Sequence, residues 1–163
     1  VVWVPFNEGW GQFDTEIVAD WTAKYDPSRL VNCASGGNFR KCGDILDLHN
    51  YPAPAMYLYD PDRVNVLGEY GGIGLPVEGH LWGRNRNWGY IKFTTTDEVT
   101  AEYTKYARQL AAFVPHGFSA AVYTQTSDVE GEVNGLLTYD RRLLKVNADS
   151  VRAVNQYVIS SLK

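Results

Sequence analysis

Two glutamates follow strand-like segments of this chain, and they are the residues best suited to chemistry. Glu8 comes after the apolar run 1–6, and Glu69 comes after the run 65–68. Glycoside hydrolysis uses two carboxyl groups, one as proton donor at the leaving oxygen and one as nucleophile or water activator on the opposite face of the sugar. We therefore predict that Glu8 and Glu69 form one catalytic pair, provided that their strands end at the same edge of a sheet.

The chain alternates between short apolar segments and amphipathic segments that could position this pair. The apolar runs predict strands at 1–6, 30–34, 45–51, 64–70 and 118–124. Apolar residues at helical spacing predict helices at 14–25, 96–113 and 149–162, with Thr96 as the N-cap of the second. The residues expected to face the core are Ile17, Val18, Trp21 and Tyr25 of the first helix and Val99, Tyr103, Tyr106, Leu110 and Phe113 of the second.

The fold class predicted from these segments is α/β, with a parallel sheet covered by helices. Strands that are apolar almost throughout and alternate with helices are typical of parallel sheets. An open doubly wound sheet and a (β/α)8 barrel would both satisfy that pattern. The Gly-x-Gly-x-x-Gly fingerprint of a dinucleotide fold is absent between strand and helix, and polar residues follow several strands, as at the catalytic rim of a barrel. We therefore expect a partial (β/α)8 TIM barrel that comprises strands four to eight with their helices.

The chain is expected to be one domain, 1–163, that is truncated at its N-terminus. Its 163 residues suffice for a single sizeable core. Val1 already lies inside a strand-like run, which predicts that a longer parent protein supplies the preceding strands. Because part of the pocket would then be missing, we expect little or no hydrolytic activity from the isolated chain. Its two open sheet edges predict self-association.

Composition excludes several other classes of partner. A hydrophobic fraction of 45%, a charged fraction of 21% and a formal net charge of -4 describe a soluble globular chain without a basic surface for nucleic acid. No apolar run is long enough for a membrane span, and no signal peptide is visible. The two cysteines, Cys33 and Cys42, could be ordinary thiols or a loop-closing disulfide, and their spacing gives no zinc motif.

Three segments of the chain resemble glycoside hydrolase family two, which includes β-galactosidases and β-glucuronidases. Residues 2–9, Val-Trp-Val-Pro-Phe-Asn-Glu-Gly, look like the fourth-strand motif of that clan, and residues 67–72, Leu-Gly-Glu-Tyr-Gly-Gly, look like its seventh-strand nucleophile segment. Residues 121–141 are similar to the eighth strand and the loop after it. The resemblance implies a retaining, β-galactosidase-like glycosidase that acts on a carbohydrate by double displacement without a cofactor or metal. Similar enzymes are often exported, which favours a periplasmic or secreted location for the parent protein.

The resemblance also implies roles for individual residues. Glu8 corresponds to the acid/base and Glu69 to the nucleophile. Asn7 corresponds to the asparagine that hydrogen-bonds the sugar 2-hydroxyl, and Tyr51 to the tyrosine that steadies the nucleophile. Tyr123 stands where many family members carry a tryptophan. The further residues expected to contact the sugar are Trp10, His49, Trp82, Trp88, Tyr123 and Gln125.

Several alternatives stay open at this point. The acidic loop residues Asp128, Glu130 and Glu132 could hold a calcium ion or be solvated or hydrogen-bonded within the loop. A non-catalytic carbohydrate-binding module would keep the same strand-end aromatic residues without turnover. Another barrel glycosidase of the clan, such as a β-glucuronidase, a β-mannosidase or an endoglycanase, would carry the same pair of acids.

Overall fold

The computed structural model describes residues 1–37 and 39–162. Its strands are β1 (Val2–Trp3), β2 (Leu30–Val31), β3 (Ile45–Asn50), β4 (Val64–Gly71), β5 (Ile73–Gly74), β6 (Ile91–Lys92) and β7 (Phe118–Thr124). Its helices are α1 (Thr15–Tyr25), α2 (Thr96–Phe113), a 3-10 turn (Val114–His116) and α3 (Ala148–Ser160). No helix among these described residues combines the length and the apolar character needed to cross a membrane.

The pairings between these strands are all parallel, which confirms the predicted α/β class. β1 pairs with β2, β5 pairs with β6, and β3, β4 and β7 form a sheet in that order. The Asp44 amide donates to the Val31 carbonyl at 2.8 Å, so β2 runs beside the start of β3. The strands thus form small separate sheets, and β1 and β2 are shorter than the predicted segments 1–6 and 30–34. One further parallel bridge joins Asn7 to Ser35.

The main core lies between the three-stranded sheet and the helices α2 and α3. Leu48 of β3, Leu67 of β4 and Phe118 of β7 supply buried side chains from the sheet. The fully buried residues of the predicted α2 stripe are Val99, Tyr103, Tyr106 and Leu110. Phe113 packs against the same core while partly buried. The prediction of the α2 face is therefore confirmed.

The N-cap of α2 lies one residue earlier than predicted, although the helix has the predicted bounds. Thr95 is the N-cap: its hydroxyl accepts from the Glu98 amide at 3.2 Å, and the Glu98 carboxylate accepts from the Thr95 amide at 3.0 Å. This reciprocal arrangement is a capping box, which satisfies two backbone donors at once. Thr95 is therefore a better N-cap than Thr96. The residue three positions after Thr96 is Val99, whose side chain cannot accept a hydrogen bond from the capping residue.

Helix α1 buries a different face from the one predicted. Ile17, Trp21 and Tyr25 are exposed, and the rings of Trp21 and Tyr25 stack at a centroid distance of 5.0 Å. The buried positions are Thr15 and Ala19, and Ala19 belongs to a second, smaller core with β2. The spacing of apolar residues identified the helix correctly, but the small side chains are the ones that let it approach the sheet.

Cys33 and Cys42 lie next to each other in this second core as free thiols. Burial, followed by the hydrogen bond and the charge of Cys33, raises the pKa of the Cys42 thiol to about 12. Of the two forms that the sequence left open, the structure therefore has the thiol form.

Candidate active site

Glu8 follows β1 in a turn with left-handed backbone. Its amide donates to the Ser35 carbonyl at 2.6 Å, and its φ of +56° is uncommon for a residue with a side chain. A Cβ atom on Gly37 would lie 2.3 Å from the Glu8 carbonyl carbon, so this close approach requires glycine at position 37. A residue held in this region costs about 1–3 kcal/mol, and such residues cluster at functional sites. The backbone thus supports a functional role for Glu8.

Glu69 lies in β4, directly after the point where the pairing with β3 shifts by one residue. The ladder skips Gly68, with Leu67 paired before it and Glu69 after it. Residues three apart on a regular strand face opposite sides, yet Leu67 and Tyr70 are both buried in the main core. The skipped residue permits this arrangement and leaves Glu69 on the side away from the core.

Asp47 is a buried carboxylate that supports this irregular strand. Its Oδ1 accepts from the Gly68 amide at 2.6 Å, and a Cβ atom on Gly68 would lie 2.2 Å from the same oxygen. Its Oδ2 accepts from Asn32 Nδ2 at 2.6 Å and from Ser35 Oγ at 2.8 Å. The sequence analysis missed Asp47, although an acid inside the apolar run Ile-Leu-Asp-Leu was the signal that could have identified it.

The side chains of Glu8 and Glu69 meet at His49. The Nδ1 atom of His49 lies 3.4 Å from Glu8 Oε1 and 3.3 Å from Glu69 Oε2. One oxygen of each carboxylate and one imidazole nitrogen lie within 4.8 Å of one another, a donor set that could hold a metal ion. The structure therefore brings together the two predicted catalytic residues and one of the predicted sugar contacts.

Tyr51 is hydrogen-bonded to Glu69. Its hydroxyl donates to Glu69 Oε2 at 2.6 Å and lies 2.8 Å from Thr124 Oγ1. Because a carboxylate only accepts, the Tyr51 hydrogen belongs to this bond and the Thr124 hydroxyl donates to the Tyr51 oxygen. Burial, followed by the bond to Glu69, raises the pKa of Tyr51 well above its usual range. Tyr51 therefore stays protonated and can hold the Glu69 carboxylate in one position.

Tyr90 is a site residue that the sequence analysis missed. Its ring stacks on the Tyr51 ring, with centroids 3.8 Å apart and 5° between the planes. Burial, followed by the charges of Glu132, Glu69 and Glu8, raises the pKa of Tyr90, which reflects its place beside all three acids. In the segment Trp88-Gly89-Tyr90, the tryptophan was the residue predicted to contact the sugar. The tyrosine two residues later is the one that stacks on Tyr51.

Asn7 and the three tryptophans predicted to contact the sugar differ in their relation to this group. Trp88 packs edge-on against Tyr90 at 5.6 Å and so borders the site. Trp82 packs against Tyr139 at 4.9 Å instead. Trp10 and Asn7 are exposed, and both lie close to Glu8 along the chain. Only Trp88 of the three tryptophans is therefore tied to the aromatic group at Tyr51.

The prediction that Tyr123 contacts the sugar needs correction. Its ring packs edge-on against Tyr70 at 5.6 Å and against Tyr103 at 5.0 Å, within the main core. Burial raises the pKa of Tyr123 above its usual range. Because side chains alternate along a strand, it is Thr124 that reaches the opposite side and contacts Tyr51.

Gln125 is linked to Tyr90 of the aromatic group through Glu132. Its Nε2 atom donates to Glu132 Oε2 at 2.9 Å and to Asn134 Oδ1 at 2.8 Å. Glu132 in turn lies close enough to Tyr90 to raise the pKa of that residue. The amide of Gln125 is therefore already engaged by protein groups, and Glu132 is the part of this network nearest to the site.

The acidic loop after β7 is held by a buried lysine. Lys145 Nζ donates to Asp128 Oδ1 at 2.6 Å and to the carbonyls of Val133 and Leu75 at 2.9 and 3.0 Å. Burial lowers the pKa of Lys145 and raises that of Asp128, and the bond between them opposes both shifts. A carboxylate bound to an ammonium group is a poor calcium ligand, so the structure favours the hydrogen-bonded alternative over a calcium site with Glu130.

Neither a scan against protein-family models nor a search of curated proteins returns a match to this chain. The likeness of its three motifs to family-two glycosidases therefore stays an interpretation of the sequence. The arrangement of Glu8, His49, Tyr51 and Glu69 is the structural observation that bears on it.

Proposed function

We propose that this chain carries the catalytic residues of a retaining β-glycosidase, of the β-galactosidase-like type in glycoside hydrolase family two. One observation carries the proposal: Glu8 and Glu69 come from separate strands, and an oxygen of each lies within 4.8 Å of the other. Retaining glycosidases hold their two carboxyl groups roughly 5–5.5 Å apart, and inverting ones roughly 6.5–9.5 Å apart. The short separation supports retention.

The order of the strands supports a partial (β/α)8 barrel as the finer fold. β1, β2, β3, β4 and β7 would be barrel strands four to eight, and they succeed one another in space as they do in the chain. A doubly wound sheet would reverse its strand order at some point. Glu8, His49, Tyr51 and Glu69 lie at or just beyond the carboxyl ends of these strands, as catalytic residues do in barrel enzymes.

In the proposed reaction Glu8 protonates the glycosidic oxygen while Glu69 attacks the anomeric carbon. The bond from carbon to the leaving oxygen breaks, and a covalent glycosyl ester of Glu69 forms. Glu8 then removes a proton from water, which attacks the same carbon and releases the sugar with its original configuration. Tyr51 holds the attacking carboxylate through its 2.6 Å hydrogen bond. Asn7 would contact the sugar 2-hydroxyl from its exposed position beside Glu8.

Covalent labelling tests this assignment directly. A 2-deoxy-2-fluoro-β-galactoside with a good leaving group should esterify Glu69, and mass spectrometry of the digested protein should find the sugar on the peptide that contains it. Glu69→Gln should abolish the label, whereas Glu78→Gln, which removes an exposed glutamate nearby, should not. A label that persists on another residue in Glu69→Gln would refute the role of Glu69.

The longest natural polypeptide that contains these residues is the material of choice, because we predict that the isolated chain hydrolyses little. A panel of nitrophenyl β-glycosides would separate a β-galactosidase from a β-glucuronidase or a β-mannosidase. Sugar binding without turnover in that polypeptide would favour a non-catalytic carbohydrate-binding module instead. Export of the parent protein and self-association of the chain also stay predictions.

A further inference from the structure

The side chain of His49 is largely buried, and its hydrogen-bond partners fix the position of its proton. Its side chain is 6% exposed. Its Nε2 atom lies 2.8 Å from Ser35 Oγ, and Ser35 Oγ donates to Asp47 Oδ2 at 2.8 Å. A serine hydroxyl has one hydrogen, and because Asp47 takes it, Ser35 accepts from Nε2. Neutral His49 therefore carries its hydrogen on Nε2 and presents the lone pair of Nδ1 to the two glutamates.

Three acceptor atoms consequently face one another. Nδ1 of His49 lies 3.4 Å from Glu8 Oε1 and 3.3 Å from Glu69 Oε2, with no hydrogen between them when the imidazole is neutral and both acids are ionised. In that state the lone pair of Nδ1 faces two carboxylate oxygens that lie within 4.8 Å of each other, and the two carboxylate charges repel where water is partly excluded. Among the residues that the structure describes, no lysine or arginine forms an ion pair with either glutamate. A cation between the three atoms would remove the repulsion.

We propose that Nδ1 of His49, Oε1 of Glu8 and Oε2 of Glu69 bind a divalent transition-metal ion of the Zn²⁺ class. Two ligands of a tetrahedral ion with bonds of about 2.1 Å stand roughly 3.4 Å apart. Both distances from Nδ1, 3.4 and 3.3 Å, match that value. An imidazole with carboxylates suits Zn²⁺ better than Ca²⁺ or Mg²⁺, which prefer ligand sets made of oxygen alone.

The groups behind these ligands are those that a metal site requires. A ligating histidine usually donates its second N–H to another group, and ligating carboxylates are themselves hydrogen-bonded. Ser35 accepts from His49 and is itself held by Asp47. The Tyr51 hydroxyl donates to the same Glu69 oxygen that would bind the ion. The sequence offers no spacing motif for such a site, because its ligands come from three distant segments.

The ion would act as an inhibitor of hydrolysis, a consequence that rests on the proposed function. Glu8 cannot donate a proton, and Glu69 cannot attack carbon, while their oxygens are bound to a metal. The Glu8 side chain is 40% exposed, so an ion can enter from the side from which a sugar would come. Metal and sugar would therefore compete for the same two carboxylates, and a chelator would restore activity.

Calorimetric titration of the chelator-treated 163-residue chain with Zn²⁺ tests binding independently of activity. We expect one ion per chain, bound at least about tenfold more weakly by His49→Gln and by Glu8→Gln. Two controls remove other donors: His80→Gln removes an imidazole whose Nδ1 atom lies 2.8 Å from Asp140 Oδ2, and Cys42→Ser removes a thiol. Unchanged affinity in both controls is the expected result.

Absence of binding, or binding that is lost in either control and kept in His49→Gln, would overturn the proposal. Circular dichroism checks that each variant is folded, and Glu8→Gln gives an independent measurement should His49→Gln unfold. Co²⁺ in place of Zn²⁺ should give a tetrahedral visible spectrum without a thiolate charge-transfer band; a thiolate band would overturn the ligand set. In a protein that hydrolyses nitrophenyl glycosides, Zn²⁺ should raise KM and leave kcat unchanged. A lack of hydrolysis would refute the proposed function and leave the binding result standing.

Discussion

Two groups of charged residues in this protein are built in opposite ways. In the first, the Asp128 carboxylate meets the Lys145 ammonium group at 2.6 Å, and both side chains are almost inaccessible to water. In the second, the carboxylates of Glu8 and Glu69 meet at the imidazole of His49, and neither pairs with a lysine or arginine of the described ranges 1–37 and 39–162. The first group balances its charge within the protein, and the second does not.

The difference is the one expected between a structural group and the catalytic site that we propose. A buried pair of opposite charges fixes the loop after β7, and breaking it is costly because one charge is left unpaired. Like charges held together have no such structural benefit, and they are typical of sites where a ligand supplies the missing partner. The sequence alone does not distinguish the two groups, because both appear in it as acidic residues near the ends of predicted strands.

Neutralising Glu8 should have the largest effect on activity and should not lower the stability of the fold. We expect Glu8→Gln to lower kcat by roughly 10²–10⁴-fold, because the general acid and base is lost. Its free energy of unfolding should be equal to or higher than that of the wild type, because an amide at position 8 carries no charge that could repel the Glu69 carboxylate. Nitrophenyl glycoside kinetics and urea unfolding measure the two quantities. A marked loss of stability would place Glu8 with the structural group instead.

Removing Lys145 should instead have a large effect on stability. We expect Lys145→Met to lower the free energy of unfolding by about 3–5 kcal/mol, since it leaves the Asp128 carboxylate buried without a partner. Lys105→Met, which removes an exposed lysine paired with Glu102, should cost less than about 1 kcal/mol. Chemical denaturation compares them. If Lys145→Met unfolds like the control, the pair does not support the loop.

The hydrogen bond from Tyr51 should matter for the functional group alone. Tyr51→Phe should lower kcat/KM by roughly 10- to 100-fold, because a hydrogen bond to a charged group contributes about 1.5–3 kcal/mol. Tyr57→Phe is the matched control, since the Tyr57 hydroxyl contacts the His49 carbonyl from an exposed position. Equal kinetic losses in the two variants would argue that Tyr51 acts only by packing.

Two glycines allow the position of His49 to be tested. Gly36 and Gly79 both have positive φ, +74° and +84°, but a Cβ on Gly36 would lie 2.1 Å from the His49 ring, whereas Gly79 has nothing within 4 Å. Both alanine variants therefore incur the same backbone strain. We expect Gly36→Ala to be the less stable by about 1–3 kcal/mol, because the ring must move. Thermal unfolding of the two variants that gives equal stabilities would contradict a fixed ring.

The smallest effect is expected from the pair of His80 and Asp140 at the surface, which serves as a reference for both groups. The Thr138 hydroxyl, and after it His80, lower the pKa of Asp140 to about 2. A folded-state pKa below the unfolded value gives stability that is present above the unfolded value and is lost as the pH falls from 3.8 toward about 2. The wild type should therefore exceed Asp140→Asn slightly in melting temperature at neutral pH, and this difference should vanish at acidic pH. A difference that is constant with pH would exclude ionisation as its cause.

Much of the framework around the site could be predicted from the sequence. The strands at 45–51, 64–70 and 118–124 have strong apolar runs, and the stripe on α2 is long enough for its period to be unambiguous. Glu8 and Glu69 could be paired because parallel strands end at a common edge. These predictions depend on local pattern and on one general property of sheets.

The parts that could not be predicted depend on distant partners. Tyr123 and Thr124 are neighbours in the chain, and only the sheet decides which of them faces the site. Lys145 was overlooked because a lysine is usually exposed, and its burial depends on three oxygen atoms from other segments. The exposed face of α1 is a similar case, since helical spacing does not reveal which neighbour will cover it.

The extra residue in β4 limits how this site could be transferred to another protein. In a regular strand, the sequence Leu-Gly-Glu-Tyr would direct its acid to the same side as the leucine and its tyrosine to the other. The carboxylate would then be buried in the core and the ring left in water. An engineer who grafts the motif must therefore copy Asp47 and the Gly68 offset together with the glutamate, as one unit of design.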